Sequence, residues 1–223
     1  MNVIGITGGI GSGKSTVAKM LRDKGWIVYA SDETARELMD ADAELKAAVV
    51  ELLGAEALQA DGTLNRPFVA SQVFGATSEH AKRRDALDRL VHPRVLQRHL
   101  DLLEQHRAEG QPLVAIESAL IYEVGLDEAF DYIILVDAPE EIRIARAMER
   151  SGLSREQVME RIASQAPAAE VRGMADIVVH NEGSLADLQR SVNMAALVIG
   201  SMPDAETRSE ADAAAEAEAE SDA

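Results

Sequence analysis

Short apolar runs alternate along this chain with longer stretches whose apolar residues recur at helical spacing. The apolar runs predict the strands of a sheet at residues 2–7, 26–30, 113–117, 131–137 and 176–180. Two of these runs, 113–117 and 131–137, are almost continuously apolar, as expected for strands covered on both faces. Strands that alternate with helices form βαβ units with right-handed crossovers. We therefore predict an α/β fold with a parallel five-stranded sheet flanked by helices.

The stretch between the second and third predicted strands is long for a connection in a parallel sheet. Residues 32–111 show mostly helical patterns and no clear strand, so we predict an inserted helical lobe. Within it, His92-Pro93 interrupts a long helical pattern, and Pro93 is expected at the first position of a new helix. Arg66, His92 and Arg94 could contact an anionic acceptor in this lobe, or they could belong to a solvated helical face.

Two further helices are predicted between the fourth and fifth strands. The first begins at Pro139, and the second begins at Ser154, whose Ser-x-x-Gln sequence is typical of a capping box. On the first helix, Arg143, Arg146 and Arg150 share one face. These arginines could form a helical lid over a nucleotide, or they could pair with the glutamates interleaved among them on an exposed face.

The pattern as a whole predicts one domain over residues 1–202. Its parts are a nucleotide-binding core at about 1–31, 112–138 and 172–202, the helical lobe at about 32–111, and the lid at about 139–171. Residues 203–223 carry eight acidic side chains and one arginine among small residues, which offers nothing to pack in a core. We predict that this acidic tail is disordered or transiently helical, with a partner-binding segment as the alternative.

Composition restricts the partners and the compartment. The formal net charge of −17 opposes binding to nucleic acid, because phosphate backbones select basic surfaces. No apolar run is long enough to span a membrane, no cysteine is present, and the first strand leads directly into a glycine-rich loop, which leaves no room for a signal peptide. We therefore expect a cytoplasmic protein with neither a membrane nor a nucleic-acid partner, and the oligomeric state stays open.

The glycine-rich segment after the first strand carries the most specific chemical pattern in the sequence. Gly8, four residues, Gly13, Lys14 and Ser15 match the phosphate-binding loop. Glycines suit this turn because a Cβ would obstruct the inward-facing amides, and the N-terminus of the next helix favours anions. An incidental glycine-rich turn is the alternative, which the Lys-Ser-Thr sequence and the flanking strand and helix disfavour.

This loop predicts that a nucleoside triphosphate binds together with Mg²⁺. Lys14 would approach the β- and γ-phosphates, and the Ser15 hydroxyl would contact the metal ion. The loop residues predicted to contact the nucleotide are Gly9, Gly11, Ser12, Gly13, Lys14, Ser15 and Thr16.

An acidic residue follows the second predicted strand. Ligands of open α/β sheets bind beyond the carboxyl ends of the strands, which puts Asp32 near the phosphates by topology. Its position is equally compatible with a helix N-cap and with a catalytic base, and one carboxylate can do both.

The ordered set of motifs resembles the dephospho-coenzyme A kinase family over residues 1 to about 200. The motifs that carry the resemblance are the phosphate loop, Asp32 with Arg36, the segment 61–66, His92-Pro93, the segment 117–123, Arg146 with Arg150, Arg161 with Gln165, and the segment 175–183. The chain departs from the family pattern at Ala30, where the family often has a second acid, and at Ala119, where it usually has proline. Asp32 is then the one candidate of the acidic pair.

The resemblance implies transfer of the γ-phosphoryl group of ATP to the ribose 3′-hydroxyl of dephospho-coenzyme A, which yields coenzyme A and ADP. In this interpretation Lys14 binds the phosphates, Ser15 binds Mg²⁺ and Asp32 accepts the hydroxyl proton. Arg146 stabilises the charge on the transferring group, and Asn181 lies near the adenine.

Three other functions are compatible with a phosphate loop. A nucleoside or nucleotide kinase of the same architecture would differ only in the acceptor that the helical lobe binds. A GTP-driven switch would need Asp-x-x-Gly at the end of a strand and usually Asn-Lys-x-Asp, and neither occurs in this chain. An ATP-dependent binding module would turn over ATP without any acceptor.

Overall fold

A five-stranded parallel sheet is present in the computed structural model, which describes residues 1–75, 77–204 and 207. Its strands are β1 (Asn2–Thr7), β2 (Ile27–Ala30), β3 (Leu113–Glu117), β4 (Tyr132–Asp137) and β5 (Ile177–His180). They lie in the order β2-β3-β1-β4-β5, with β1 at the centre. There Ile4 pairs with Ala115 on one side and with Tyr132 on the other. The predicted fold class is confirmed.

Three strands, β2, β4 and β5, begin one residue later than predicted, and in β4 and β5 the residue just before the strand is an aspartate whose side chain bonds to the neighbouring strand. The Asp131 carboxylate accepts a hydrogen bond from the Val3 amide over 2.7 Å, and the Asp176 carboxylate accepts one from the Ile133 amide over 2.7 Å. Each side-chain oxygen takes the position of a backbone carbonyl on the neighbouring strand. The backbone amides of the two aspartates still donate to the Val3 and Ile133 carbonyl oxygens, so only one of the two bonds at each place is made by a side chain.

Helices join the strands. They are α1 (Lys14–Arg22), α2 (Ser31–Ala41), α3 (Ala43–Leu53), α4 (Arg66–Val73), α5 (Ser78–Ala108), α6 (Glu140–Ser151), α7 (Arg155–Ala163), α8 (Ala168–Met174) and α9 (Leu185–Ser201). The predicted capping box of α7 is confirmed, since the Ser154 and Gln157 side chains bond to each other's backbone amides. Within the described part of the chain, no helix is both long and apolar enough to cross a bilayer.

The chain divides into two compact units. The first contains the sheet and consists of residues 1–30 and the described residues from 105 onward. Its core lies between the sheet and the helices α1 and α9, where Leu21, Ile134, Val192 and Ile199 are all buried. Removing such side chains from water is the main stabilising contribution to the fold. It also fixes the carboxyl end of β1, from which the glycine-rich loop departs.

A second, smaller cluster in this unit lies beside the loop. Ile144 of α6 and Val158 of α7 are buried together, and Ile10 of the glycine-rich loop packs against them. The helical hairpin α6–α7 therefore packs on the loop through apolar contacts.

The other unit, residues 31–104, is helical and has its own core. Leu45 and Val49 of α3 pack there with Leu87 and Val91 of α5. The helical character predicted for this stretch is confirmed by α2, α3, α4 and α5. The finer division into a core, a lobe at 32–111 and a lid at 139–171 stays a prediction.

The predicted helix boundary at His92-Pro93 is wrong, because α5 continues through Pro93 from Ser78 to Ala108. An interior proline removes one backbone hydrogen bond and crowds the preceding turn. In that turn the Arg94 guanidinium donates from Nη1 to the Leu90 carbonyl oxygen over 3.0 Å. Apolar side chains on both sides of the proline are also buried in one core, which favours a continuous helix.

Most of the predicted acidic tail, 203–223, lies outside the described residues. Pro203 is described, and its carbonyl oxygen accepts a hydrogen bond from the Tyr132 hydroxyl over 3.1 Å. The side chain of Asn2 donates to the same oxygen over 3.4 Å. The first residue of the predicted tail is therefore attached to the sheet.

Candidate active site

The glycine-rich loop connects β1 to α1 and adopts a conformation that requires glycine. Gly13 has a φ of 98° and directly precedes the first residue of α1. A Cβ at Gly13 would also collide with the side-chain nitrogen of Asn181. Both the positive φ and the close approach exclude a larger side chain there. The loop then opens the N-terminus of α1, where unpaired amides favour an anion.

Lys14 folds back over the loop. Its ammonium donates hydrogen bonds to the carbonyl oxygens of Gly8, over 2.6 Å, and Gly9, over 3.4 Å. The positive charge is thus placed at the end of the loop that follows β1. This placement agrees with a lysine that meets the terminal phosphates of a nucleotide.

The other predicted contact residues of the loop differ in exposure. The side chains of Ser15 and Thr16 are exposed at the start of α1, whereas Ser12 is fully buried. The Ser12 hydroxyl has no hydrogen-bond partner among the described residues. A buried hydroxyl without a partner is uncommon, and in this loop it is available to a phosphate oxygen.

Asn181 lies just after β5 and supports the loop. Its side-chain Nδ2 donates to the Ser12 carbonyl oxygen over 2.7 Å, and its backbone amide donates to the Asp137 carbonyl oxygen over 2.7 Å. Its backbone carbonyl oxygen accepts a hydrogen bond from Arg146 Nη1 over 2.9 Å. The side chain of Asn181 is therefore directed at the loop backbone, and Arg146 is bonded to the chain just beyond β5.

The three arginines of α6 have different surroundings. Arg143 is 7% exposed, Arg146 is partly buried and Arg150 is exposed. Helical spacing groups the three on one face, and the family resemblance selects Arg146 alone as catalytic. The spacing could not reveal that Arg143 is the member buried beside the loop, since that depends on how α6 packs.

A cavity of about 280 Å³ opens beside the loop. Gly8 and Gly9 line it together with Ala119, Arg143 and Gln165. Gln165 belongs to the connection between α7 and α8. Its Oε1 accepts a hydrogen bond from the amide of Ile10 in the loop over 2.9 Å, which holds this connection at the border of the cavity. Backbone amides, a guanidinium and a carboxamide thus converge on one space, which suits a polyphosphate.

The wall of the cavity also includes a segment after β3. There the Glu123 carboxylate accepts a hydrogen bond from the Ala166 amide over 2.9 Å. Burial, with smaller contributions from the charges of Asp176 and Asp127, raises the pKa of the Tyr122 hydroxyl to about 12. Tyr122 therefore stays protonated at neutral pH and is unsuited to act as a base there.

The residues of the site fit a magnesium ion that arrives with a nucleotide. Among the described residues, no group of three or more histidine, cysteine or acidic side chains could hold a metal ion. Mg²⁺ keeps several waters and is commonly bound through substrate phosphates with few protein ligands. An exposed Ser15 hydroxyl beside the loop amides meets that requirement.

Asp32 belongs to the helical unit and is exposed. It is the second residue of α2, which begins at Ser31 immediately after β2. The N-cap alternative for Asp32 is therefore wrong, because the residue lies within the first helical turn. Its carboxylate complements the positive end of the helix dipole there.

The three lobe residues considered as acceptor contacts all lie beside aspartates of the helical unit. Arg66 pairs with Asp40 over 2.6 Å and Arg94 with Asp42 over 3.3 Å, and His92 Nε2 lies 3.8 Å from an Asp88 carboxylate oxygen. The Arg94 guanidinium and two backbone amides of α3 lower the pKa of the Asp42 carboxyl, the amide of Leu45 contributing most. These pairs favour the solvated-face interpretation.

Comparison with known proteins gives a consistent family match. The family model of dephospho-CoA kinases matches residues 2–187. A dephospho-CoA kinase from Salinibacter ruber is 43% identical over 190 residues, which cover 85% of this chain and 94% of the relative. One from Corynebacterium glutamicum is 36% identical over 185 residues, which cover 83% of this chain and 90% of that protein.

Two solved structures are similar to most of the chain. A protein from Thermus thermophilus has a TM-score of 0.70 and 38% identity, covering 91% of this chain and 98% of its own. The dephospho-CoA kinase from Campylobacter jejuni has a TM-score of 0.67 at 23% identity, covering 90% of this chain and 99% of its own, and shares the fold.

Proposed function

The chain belongs to the dephospho-CoA kinase family, and on this premise we propose the reaction and the role of each site residue. The reaction is transfer of the γ-phosphoryl group of ATP to the ribose 3′-hydroxyl of dephospho-CoA, which gives CoA and ADP. The observation that carries it is the family match over residues 2–187, within which the phosphate loop has the required geometry. A nucleoside or nucleotide kinase is not favoured, because the curated relatives above are dephospho-CoA kinases.

The loop binds the nucleotide in this proposal. Backbone amides between Gly9 and Thr16 surround the phosphates, and the Lys14 ammonium exchanges its bonds to the Gly8 and Gly9 carbonyl oxygens for phosphate oxygens. The Ser12 hydroxyl, which is buried without a hydrogen-bond partner among the described residues, donates to a phosphate oxygen. Each of these groups is already positioned by β1, α1 and Asn181, so little reorganisation accompanies binding.

Asp32 acts on the acceptor. The 3′-oxygen forms a bond to the γ-phosphorus while the bond from that phosphorus to the bridging oxygen of ATP breaks, and the bridging oxygen leaves on ADP. The hydroxyl proton passes to the Asp32 carboxylate. Support comes from the chain itself, since Asp32 follows the carboxyl end of β2 by two residues, where ligands of such sheets bind.

Arg146 and Asn181 complete the proposed site. Arg146 stabilises the negative charge on the transferring group, and its bond to the Asn181 carbonyl oxygen orients it. Asn181 positions the loop through Ser12 and lies on the nucleotide side of the sheet edge. Mg²⁺ held by the Ser15 hydroxyl and phosphate oxygens would neutralise phosphate charge when bound. The cytoplasmic location and the lack of a nucleic-acid partner stay predictions.

The test is a product analysis. Purified protein is incubated with ATP, Mg²⁺ and dephospho-CoA, and in parallel with nucleoside monophosphates, and the products are identified by mass spectrometry and phosphorus NMR. We expect CoA with a 3′-phosphate from dephospho-CoA only. The variant Lys14→Ala should lose most turnover, because the ammonium stabilises charge that develops on the phosphates. Phosphorylation of a nucleotide but not of dephospho-CoA would refute the proposed acceptor.

A further inference from the structure

Arg143 is packed against the phosphate loop at two points. Its backbone carbonyl oxygen occupies the space that a Cβ at Gly11 would need, and its guanidinium Nη1 occupies the space beside Gly9. The side chain lines the cavity together with Gly8 and Gly9. Because Lys14 donates to the carbonyl oxygens of these same two glycines, the two cations lie at one end of the loop.

The charge of Arg143 is poorly balanced for a buried group. Its ion pair with Glu140 spans 3.9 Å between Nη2 and Oε2, and the Glu140 side chain is 59% exposed. Its buried Nε has no hydrogen-bond partner among the described residues. A buried charge without a close counter-ion is unfavourable. The surroundings of Arg143 are therefore suited to an anion that arrives from outside.

We propose that Arg143 binds the γ-phosphoryl group of ATP and stabilises the charge on that group during transfer. The lysine of a phosphate loop reaches the β- and γ-phosphates, so a cation at the same end of the loop is placed for the terminal phosphate. Charge on the oxygens of this group is redistributed as one bond to phosphorus breaks and the other forms. A guanidinium fixed by burial stabilises that charge without reorganising.

Arg143 and Arg146 of α6 would then act on the same phosphoryl group from two different positions. Arg146 donates to the Asn181 carbonyl oxygen, whereas Arg143 faces the cavity with a donor that lacks a partner in the described structure. The proposal rests on the proposed function for the identity of the acceptor. It does not depend on that acceptor for its prediction about nucleotide binding, so the two can fail separately.

The experiment compares two nucleotides that differ by the γ-phosphoryl group. The affinities of Arg143→Gln for ADP and for a non-hydrolysable ATP analogue are measured by calorimetry with Mg²⁺, together with kcat at saturating ATP. We expect the affinity for the analogue to fall about tenfold or more, that for ADP to change less than about threefold, and kcat to fall roughly 10²-fold. Arg155→Gln is the matched control, because Arg155 is a half-exposed arginine of α7 paired with Glu141, and it should change none of these quantities.

Equal losses of affinity for ADP and for the analogue would overturn the proposal, because a purely structural role of Arg143 in packing α6 affects both nucleotides. Unchanged affinities with unchanged kcat would overturn it too. If Arg143→Gln does not fold, Arg143→Lys keeps the charge, and it should show a smaller loss that is still selective for the analogue. If the wild type does not phosphorylate dephospho-CoA, the proposed function fails while the two affinities still decide the role of Arg143.

Discussion

Asn181 and Ser12 are joined by a hydrogen bond of 2.7 Å from the side-chain Nδ2 to the backbone carbonyl oxygen, across 169 positions of sequence. The Asn181 side chain lies against Gly13, where no Cβ could be accommodated. Both residues of the bond are buried. The chain after β5 therefore fixes the shape of the loop after β1, and a substitution at Asn181 should alter the loop at Ser12.

We expect Asn181→Ala to weaken nucleotide binding and to lower the free energy of unfolding by about 1–3 kcal/mol, because it leaves the buried Ser12 carbonyl oxygen without its donor. Thermal unfolding and ADP titration measure the two effects. Asn193→Ala is the control, since Asn193 is exposed on α9 and accepts a hydrogen bond from Gln189 in the same helix. Wild-type stability and affinity in Asn181→Ala would contradict this account of the loop.

His99 gives the helical unit a specific dependence on pH. Burial, with a smaller contribution from the charge of Arg98, lowers the pKa of His99 to about 4, whereas an unfolded histidine titrates near 6.5. Below pH 6.5 the unfolded chain binds a proton that the folded chain does not. The contribution of His99 to stability therefore falls as pH drops from about 6.5 towards 4, by up to about 3 kcal/mol, and this contribution changes little below that.

Denaturant unfolding between pH 7 and pH 4 checks this for the wild type and for His99→Gln. Gln retains a hydrogen-bonding group that can reach the Thr34 hydroxyl, which lies 3.2 Å from His99 Nε2, but it does not titrate. The variant should lose less stability than the wild type over this interval. Parallel curves for the two proteins would show that another group causes the acid sensitivity.

Two truncations of the acidic tail test whether its first residues stabilise the fold. Ending the chain after Asp204 keeps the Pro203 carbonyl oxygen that accepts from the Tyr132 hydroxyl, and ending it after Met202 removes that acceptor. We expect the longer form to match the full chain in kcat and melting temperature. The shorter form should lose about 1 kcal/mol of stability, the net value of a typical hydrogen bond. A large loss in the longer form would show that residues beyond Asp204 contribute to the fold.

Local chemistry made most of the fold predictable. The strands could be predicted because strands covered on both faces have nearly continuous apolar sequences. The start of α7 could be predicted because the capping box of Ser154 and Gln157 is a local pattern. The prediction at Pro93 was wrong because the sequence shows the lost hydrogen bond but not the core in which side chains on both sides of the proline are buried. A local rule failed where tertiary packing outweighed it.

The residues of the site were predictable where their placement depends on local sequence, and not where it depends on tertiary packing. Gly13 and Lys14 follow from a contiguous motif whose geometry is local. The positions of Arg143 beside Gly9 and of Asn181 beneath Ser12 depend on contacts between elements distant in sequence. No spacing rule carries that information, which is why Arg143 could not be distinguished from its neighbours on the same helical face.

For Asp32 the sequence left two roles open, a helix cap and a catalytic base, and the structure removes the first. Because α2 begins at Ser31, Asp32 is not the capping residue, and replacing it should affect stability little. Asp32→Asn keeps the shape but cannot take up a proton as a carboxylate does. We expect this variant to retain its fold and ATP affinity and to lose roughly 10²–10⁴-fold in kcat, the usual contribution of general-base catalysis.

Two further variants decide whether that loss reflects proton transfer. Asp32→Ala should lose as much kcat as Asp32→Asn with a similar melting temperature, since neither side chain is a base and the helix start does not depend on either. Glu37→Gln removes an exposed carboxylate from the same helix and should leave kcat unchanged. If Asp32→Asn instead retains full activity, the hydroxyl proton is taken by another group, which is not the side chain of residue 30, because that residue is an alanine.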